Sequence, residues 1–324
     1  MLAQMLPTCF VNHGGGPMPI LGDASQASLT ASLRSLRATL AASASPAMAA
    51  LRAILVISAH WETPGSFQVL TAPDARAPVP LHFDYFGFPP QTYEYTYAAP
   101  GAPGVAARVC ELLNGAGLAA HAVSDGEREG YDHGVFIPLL LAFPAKDVPI
   151  VQLSLKAGLD PAEHINAGRA LAPLRDEGVL ILGSGMSYHN MQHFMSDHGP
   201  GSIAGRQAAA FDAWLQDTLS PSRPIDERLS QLAKWESVAP YARHCHPREE
   251  HLAPMFVVAG AASQEDVLLP ILDDVCMGKK ITSFAFVTSR RIESRSGGGG
   301  EALSSVNPLG NTDTTSSAEV PAEL

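Results

Sequence analysis

Three short apolar runs in this chain lead straight into a histidine: Cys9-Phe10-Val11-Asn12-His13, Ile54-Leu55-Val56-Ile57-Ser58-Ala59-His60, and Val179 to Gly183 with His189 shortly after. Runs of this length and β-branched content read as strands. An α/β sheet delivers the residues that follow its strands to its carboxyl edge, where ligands bind. A fourth histidine, His251, opens the apolar run Leu252 to Ala262. Imidazoles gathered at one sheet edge from distant points of a chain are the usual material of a mononuclear metal site. His13, His60, His189 and His251 are therefore the candidate metal-binding residues.

The rest of the chain supports an α/β fold. Candidate strands are Thr8 to Asn12, Ala53 to Ser58, Phe67 to Thr71, Ala119 to Val123, Pro149 to Leu155, Val179 to Gly183 and Ile281 to Val287. Helical patterns alternate with them: Leu29, Leu33, Leu36 and Leu40 at helical spacing, Pro103 to Gly115, and Pro161 to Asp176. The expected architecture is a single domain, residues 1–290, with a central mixed, mostly parallel sheet flanked by helices and a metal site at the strand ends. Apolar residues make up 46% against 16% charged, which suits a deeply buried core. From 291 to 324 the chain is rich in Gly, Ser, Thr and Pro and lacks the apolar residues to offset ordering entropy, so a disordered tail is expected.

A net charge of -11 without a long basic run argues against nucleic acid or an anionic membrane as partner. Apolar stretches such as Val135 to Phe143 fall well short of the ~20 residues a membrane helix needs. The opening MLAQMLPTCF lacks the basic and long apolar regions of a secretory signal. Cys9, Cys110, Cys245 and Cys276 lie far apart and form no CxxC pair, so a reducing cytoplasm is the expected location. The expected assembly is a monomer or small homo-oligomer.

The local chemistry around the histidines narrows the function. His13 opens the turn His13-Gly14-Gly15-Gly16-Pro17, which has neither the Lys-Ser/Thr of a phosphate loop nor GxGxxG spacing. Trp61 and Glu62 follow His60 directly, and Glu250 precedes His251. Neutral imidazole suits zinc, iron, copper and nickel, and three or four nitrogens leave coordination positions open for catalysis. His133, in Tyr131-Asp132-His133-Gly134, opens the apolar helix Val135 to Leu141. A helix N-terminus disfavours a charged ring and leaves a neutral base available, so His133 is a candidate catalytic acid/base. The stretch HCHPREEH, with Cys245 between His244 and His246, reads as the loop presenting His251 rather than as a second metal cluster. His82, His121, His164, His193 and His198 read as surface or structural, with His82 and His193 nearest the pocket. The segment Pro78 to Pro103 holds four tyrosines and three phenylalanines among prolines and glycines, and its part from Leu81 to Tyr97 is expected to wall a site for a flat apolar substrate.

The ordered set HGGGP, SAHWE, YDHG, SGMSYHN and EHLAP, with FGFPPQTYEYTYAAPG between the second and third, resembles the DOPA-dioxygenase type of the class III extradiol ring-cleaving dioxygenases. The superfamily includes the catalytic subunit of protocatechuate 4,5-dioxygenase, and the similarity covers roughly residues 7 to 288. The resemblance implies a non-haem Fe(II) for activity, with Zn(II) able to occupy the site as isolated. It implies a single-ring catechol and O2 as substrates, and a ring-opened semialdehyde as product. His13, His60, His189 and His251 match the family's metal-binding histidines, and His133 its acid/base; His189 is a ligand or a base against the substrate. Members commonly use two histidines and one carboxylate, so either His251 or Glu250 is the third ligand. The triple glycine of the first loop and the tail after Arg290 depart from the family pattern. A zinc hydrolase using the same histidines, and a non-catalytic binding module, are the rival readings.

Overall fold

A computed structural model describes residues 5–73, 78–124, 127–197, 199 and 201–288. The tail expected to be disordered and His198 lie outside the described residues. Eight strands form one sheet: β1 (Thr8–Asn12), β2 (Ala53–Thr63), β3 (Phe67–Thr71), β4 (Ala120–Val123), β5 (Ile150–Lys156), β6 (Val179–Gly185), β7 (Asp266–Cys276) and β8 (Lys279–Thr288). Their order is β4-β3-β5-β2-β6-β1-β8-β7. Neighbours are parallel at β3/β4, β2/β5, β2/β6 and β1/β6, and antiparallel at β3/β5, β1/β8 and β7/β8. The sheet is thus mixed and mostly parallel, as the sequence suggests. Among the described residues no helix is long and apolar enough to cross a membrane.

The centre of the sheet explains why its strands are legible. Every residue of β1 and β6 is buried, so these strands need continuous apolar runs. β7 is a sheet edge that sequence reasoning missed. It pairs only with β8, is buried only at Asp266, Leu272 and Cys276, and carries Pro270 beside a register shift. Proline and solvent-facing acids such as Asp273 and Asp274 belong on an edge strand and hide its period.

β2 departs from expectation more usefully. It does not stop before His60 but runs on to Thr63. Its pairing with β5 slips from Ile57↔Leu153 to Glu62↔Leu155, so the residues between form a bulge that includes His60. A bulge bends the strand and re-aims a side chain. The helix Ala27–Ser43 buries Leu29, Leu33, Leu36 and Leu40, and Pro103–Gly115 forms as expected. The helix from Pro161 ends at Leu171 and tightens into a 3-10 turn, Ala172–Arg175, because Pro173 has no amide hydrogen to continue the ladder.

Two buried helices bring residues to the carboxyl edge: His133–Ala142, and Ala253–Gly260 just after His251. The second lies close against β6. A Cβ on Gly185 would stand 2.1 Å from the His251 carbonyl oxygen, so glycine is required where the Met186 amide donates to that carbonyl at 3.0 Å.

Candidate metal centre and active site

His13 follows the last residue of β1, and its amide donates to the Gly185 carbonyl at 3.0 Å. Gly14 then turns the chain away at φ +84°, a conformation that disfavours any side chain. His60 is fixed by its bulge: its amide donates to Ser58 Oγ at 3.2 Å, and that hydroxyl donates to Asp132 Oδ1 at 2.6 Å. Asp132 is fully buried and also accepts from Arg128 Nη2 at 3.1 Å and Gln152 Nε2 at 2.5 Å. With His251, these elements bring three rings together. His60 Nε2 lies 3.3 Å from His13 Nε2 and 3.2 Å from His251 Nε2.

The partners of the opposite ring nitrogens fix the tautomers. Ser184 Oγ donates to the Gly134 carbonyl, so at 3.0 Å it accepts from His13 Nδ1. His60 Nδ1 is 3.3 Å from Asp84 Oδ2, and His251 Nδ1 is 3.0 Å from Glu250 Oε1. A carboxylate only accepts, so each Nδ1 carries the proton and each Nε2 a lone pair. Protonation is disfavoured as well. Burial holds His13 and His251 well below the ordinary histidine range, reinforced by the neighbouring imidazoles. Burial, with His133 beside it, lowers His60 to about 3 against the pull of Asp84.

Three lone pairs therefore face one another with no proton to share, which is costly unless a cation lies between them. Separations of 3.2 and 3.3 Å match two imidazoles that share an ion at about 2.0–2.1 Å each. The donor set fits a divalent transition metal: His13 and His251 have the rear hydrogen bond that such ligands need, and His60 has the Asp84 carboxylate 3.3 Å behind its Nδ1.

Two more imidazoles border this group. His133 opens its helix with its amide donating to Asp84 Oδ1 at 2.9 Å and its Nδ1 at 2.8 Å from the same oxygen, which frees its Nε2. Its ring centroid is 3.9 Å from that of His60. His189 follows β6 on a loop held by its own amide to the Cys245 carbonyl (3.1 Å) and by the Ser187 amide to Asn12 Oδ1 (2.8 Å). Its Nδ1 lies 3.3 Å from Glu250 Oε1, and its ring stacks on His251 at 3.5 Å. Burial raises the carboxyl of Asp84, but contact with His133 and His60 wins and holds it well below the carboxylate range. Glu250 is lowered too: burial pushes its carboxyl up, but the His189 hydrogen bond and the neighbouring His189 and Arg248 charges together outweigh it.

Of the residues singled out in the sequence, His13, His60 and His251 thus form one group able to hold an ion, while His189 groups with Glu250 and His251. His133 groups with His60 and Asp84. Glu250 supports two imidazoles instead of joining the group of three. His246 is buried and donates Nε2–H to the Ser187 carbonyl at 3.0 Å, and neither it nor Cys245 joins a metal-binding group among the described residues. His82 pairs with Glu129, His193 with the Tyr188 hydroxyl, His121 with Ser66, and His164 with backbone.

Asp84 is the functional residue that sequence reasoning missed. Its signal is the single acid within Leu81-His82-Phe83-Asp84-Tyr85-Phe86. The aromatic segment fixes it in place. Phe83 packs on Phe136 with centroids 5.5 Å apart, Tyr85 lies 5.9 Å from His133, and Phe88 lies 5.6 Å from Tyr85. The Tyr85 hydroxyl donates to the Thr92 carbonyl at 2.5 Å, while Phe86 stands 91% exposed.

Residues 17–284 match the family described as the catalytic LigB subunit of aromatic ring-opening dioxygenase. The chain belongs to this family. It is 38% identical over 267 residues to "Dioxygenase tasH" of Hapsidospora irregularis, covering 81% of this chain and 80% of that one. It is 40% identical over 216 residues to "4,5-DOPA dioxygenase extradiol" of Beta vulgaris, covering 66% and 74%. The relative of the same name in Escherichia coli is 32% identical over 277 residues, covering 84% and 91%. The crystal structure of "uncharacterized protein JW3007" from Escherichia coli K12 has a similar fold, with TM-score 0.64 and 26% identity over 86% of this chain and 99% of that one. LigB membership with these relatives makes the chain an extradiol ring-cleaving dioxygenase acting on a small aromatic molecule and O2. LigB dioxygenases depend on a metal, and the imidazole cluster offers a seat for one.

Proposed function

We propose that this dioxygenase opens a single-ring catechol of the DOPA type beside its diol, using Fe(II) held by Nε2 of His13, His60 and His251, with His189 at the edge of that shell. The observation that carries the reading is the convergence of three proton-free imidazole nitrogens, each braced from behind. Fe(II) held there would supply the activation of O2 and of the catechol, and Zn(II) would compete for the same imidazoles.

The chain's own residues do the acid–base work. His133 Nε2 takes a phenolic proton, and Asp84 holds the resulting imidazolium by its Nδ1–H. His189, braced by Glu250, is the second group able to hold or return a proton at its Nε2. Phe83 and Tyr85 keep water from the His133 side. Four free cysteines, three of them buried, suit a reducing cytoplasm.

The test is to strip the metal, reload anaerobically with Fe(II), and admit O2 with a panel of catechols. About one O2 consumed per semialdehyde formed is the expected result. Turnover that needs no O2 and follows added zinc would instead identify a hydrolase.

A further inference from the structure

We propose that Glu62 and Arg248 form the ionic end of the substrate site and read the zwitterionic α-amino acid arm of a catechol. Arg248 takes the carboxylate and Glu62 the ammonium. This deepens the catechol reading above and rests on it.

Both residues are tied to the cluster by short stretches of chain. Glu62 follows His60 by two residues on β2, and Arg248 precedes His251 by three. The Arg248 guanidinium forks onto Glu62 at 2.6 and 2.5 Å. Its Nη1 is also 3.6 Å from Glu250 Oε2, and the other oxygen of that carboxylate holds His251 and His189. One carboxylate therefore separates the guanidinium from two rings of the cluster.

Exposure places the pair at the open edge. The His60 and His189 side chains are 22% and 20% exposed, against 7% for both His133 and His251. Glu62 and Arg248 come from the strand of the first open ring and the loop beside the second, and the Arg248 side chain is 54% exposed. Arg128 pairs with the buried Asp132, lies over the Trp61 ring and is 16% exposed, so Arg248 is the more accessible of the two.

Beside the pair, Glu250 Oε2 is buried and has no hydrogen-bond partner among the described residues. As a surface staple an Arg–Glu pair contributes little to stability. Facing a zwitterion it is complementary: one ion pair opens into two, and no net charge is added to the site. A planar guanidinium suits a carboxylate because both its donors can be used at once.

The test compares kcat/KM of Fe(II)-loaded wild type, Arg248→Gln, Arg248→Lys and Glu62→Gln on four catechols. These are DOPA, dihydroxyphenylpropionate (carboxylate only), dopamine (ammonium only) and 4-methylcatechol (neither). Arg248→Gln should lower the ratio of each carboxylate-bearing catechol to 4-methylcatechol by about 10–100-fold, mainly through KM, with Arg248→Lys restoring part of it. Glu62→Gln should lower the dopamine ratio and spare that of dihydroxyphenylpropionate. Ratios within about twofold of wild type in both glutamine variants, or an equal fall on all four catechols, would reduce the pair to a staple. Wild type that prefers 4-methylcatechol to DOPA overturns the pair's role and leaves the dioxygenase reading standing. Wild type that cleaves no catechol overturns that reading, and the pair's role with it.

Discussion

Asp84 and Glu250 each hold two imidazoles by Nδ1, but Asp84 uses both of its oxygens to do so and Glu250 only one. Asp84 gives Oδ2 to His60 and Oδ1 to the ring and the amide of His133, under the packed rings of Phe83, Tyr85 and Phe136. Glu250 shares Oε1 between His251 and His189, and its Oε2 faces a half-exposed arginine at 3.6 Å. The same carboxylate–imidazole chemistry thus gives a fixed half and a looser half. The fixed half suits proton transfer, which needs a base held in one orientation. The looser half, whose free carboxylate oxygen faces Arg248, suits admission and recognition of substrate.

Removing the anchor of the fixed half should have the largest effect. Asp84→Asn loses the acceptor that sets both the His60 and the His133 tautomer, so turnover should fall about 10²–10⁴-fold and metal affinity about 10–100-fold. Equal losses of both in Asp84→Asn and Glu250→Gln would erase the distinction between the halves. His133→Ala should match the turnover loss of about 10²–10⁴-fold while keeping its metal. Release of metal from that variant would give His133 a structural role instead.

In the looser half, Glu250→Gln should weaken metal binding by about 10–100-fold, and saturating Fe(II) should restore most of the rate. A rate that Fe(II) cannot restore would bring Glu250 into the chemistry. The smallest effect belongs to the aromatic wall. Tyr85→Leu gives up ring contacts worth about 0.5–1.5 kcal/mol each, so it should shift the ranking of catechols in kcat/KM without changing metal content. An unchanged ranking would leave the segment only the task of holding Asp84.

The legible parts of this molecule are those in which one face or one turn decides the residue type. Buried parallel strands need continuous apolar runs, so β1, β5 and β6 show plainly, and a histidine just past a strand end stands out. β7 is hidden because an edge strand tolerates Pro270 and outward acids. The continuation of β2 past His60 is hidden because a bulge breaks its period. Asp84 is hidden for a different reason. It reaches His60 and His133 through the tertiary packing of an irregular segment, and no local period marks that approach. Glu250 was visible as an acid beside a histidine, but which nitrogen it served depended on the direction of the His251 ring.

The central claim is that three Nε2 atoms share one ion while two further imidazoles stand beside it. Metal content of the five single alanine variants tests it most directly. His13→Ala, His60→Ala and His251→Ala should fall to background, while His133→Ala and His189→Ala should keep about one metal per chain. Retention by any of the first three, or equal loss from all five, would contradict it.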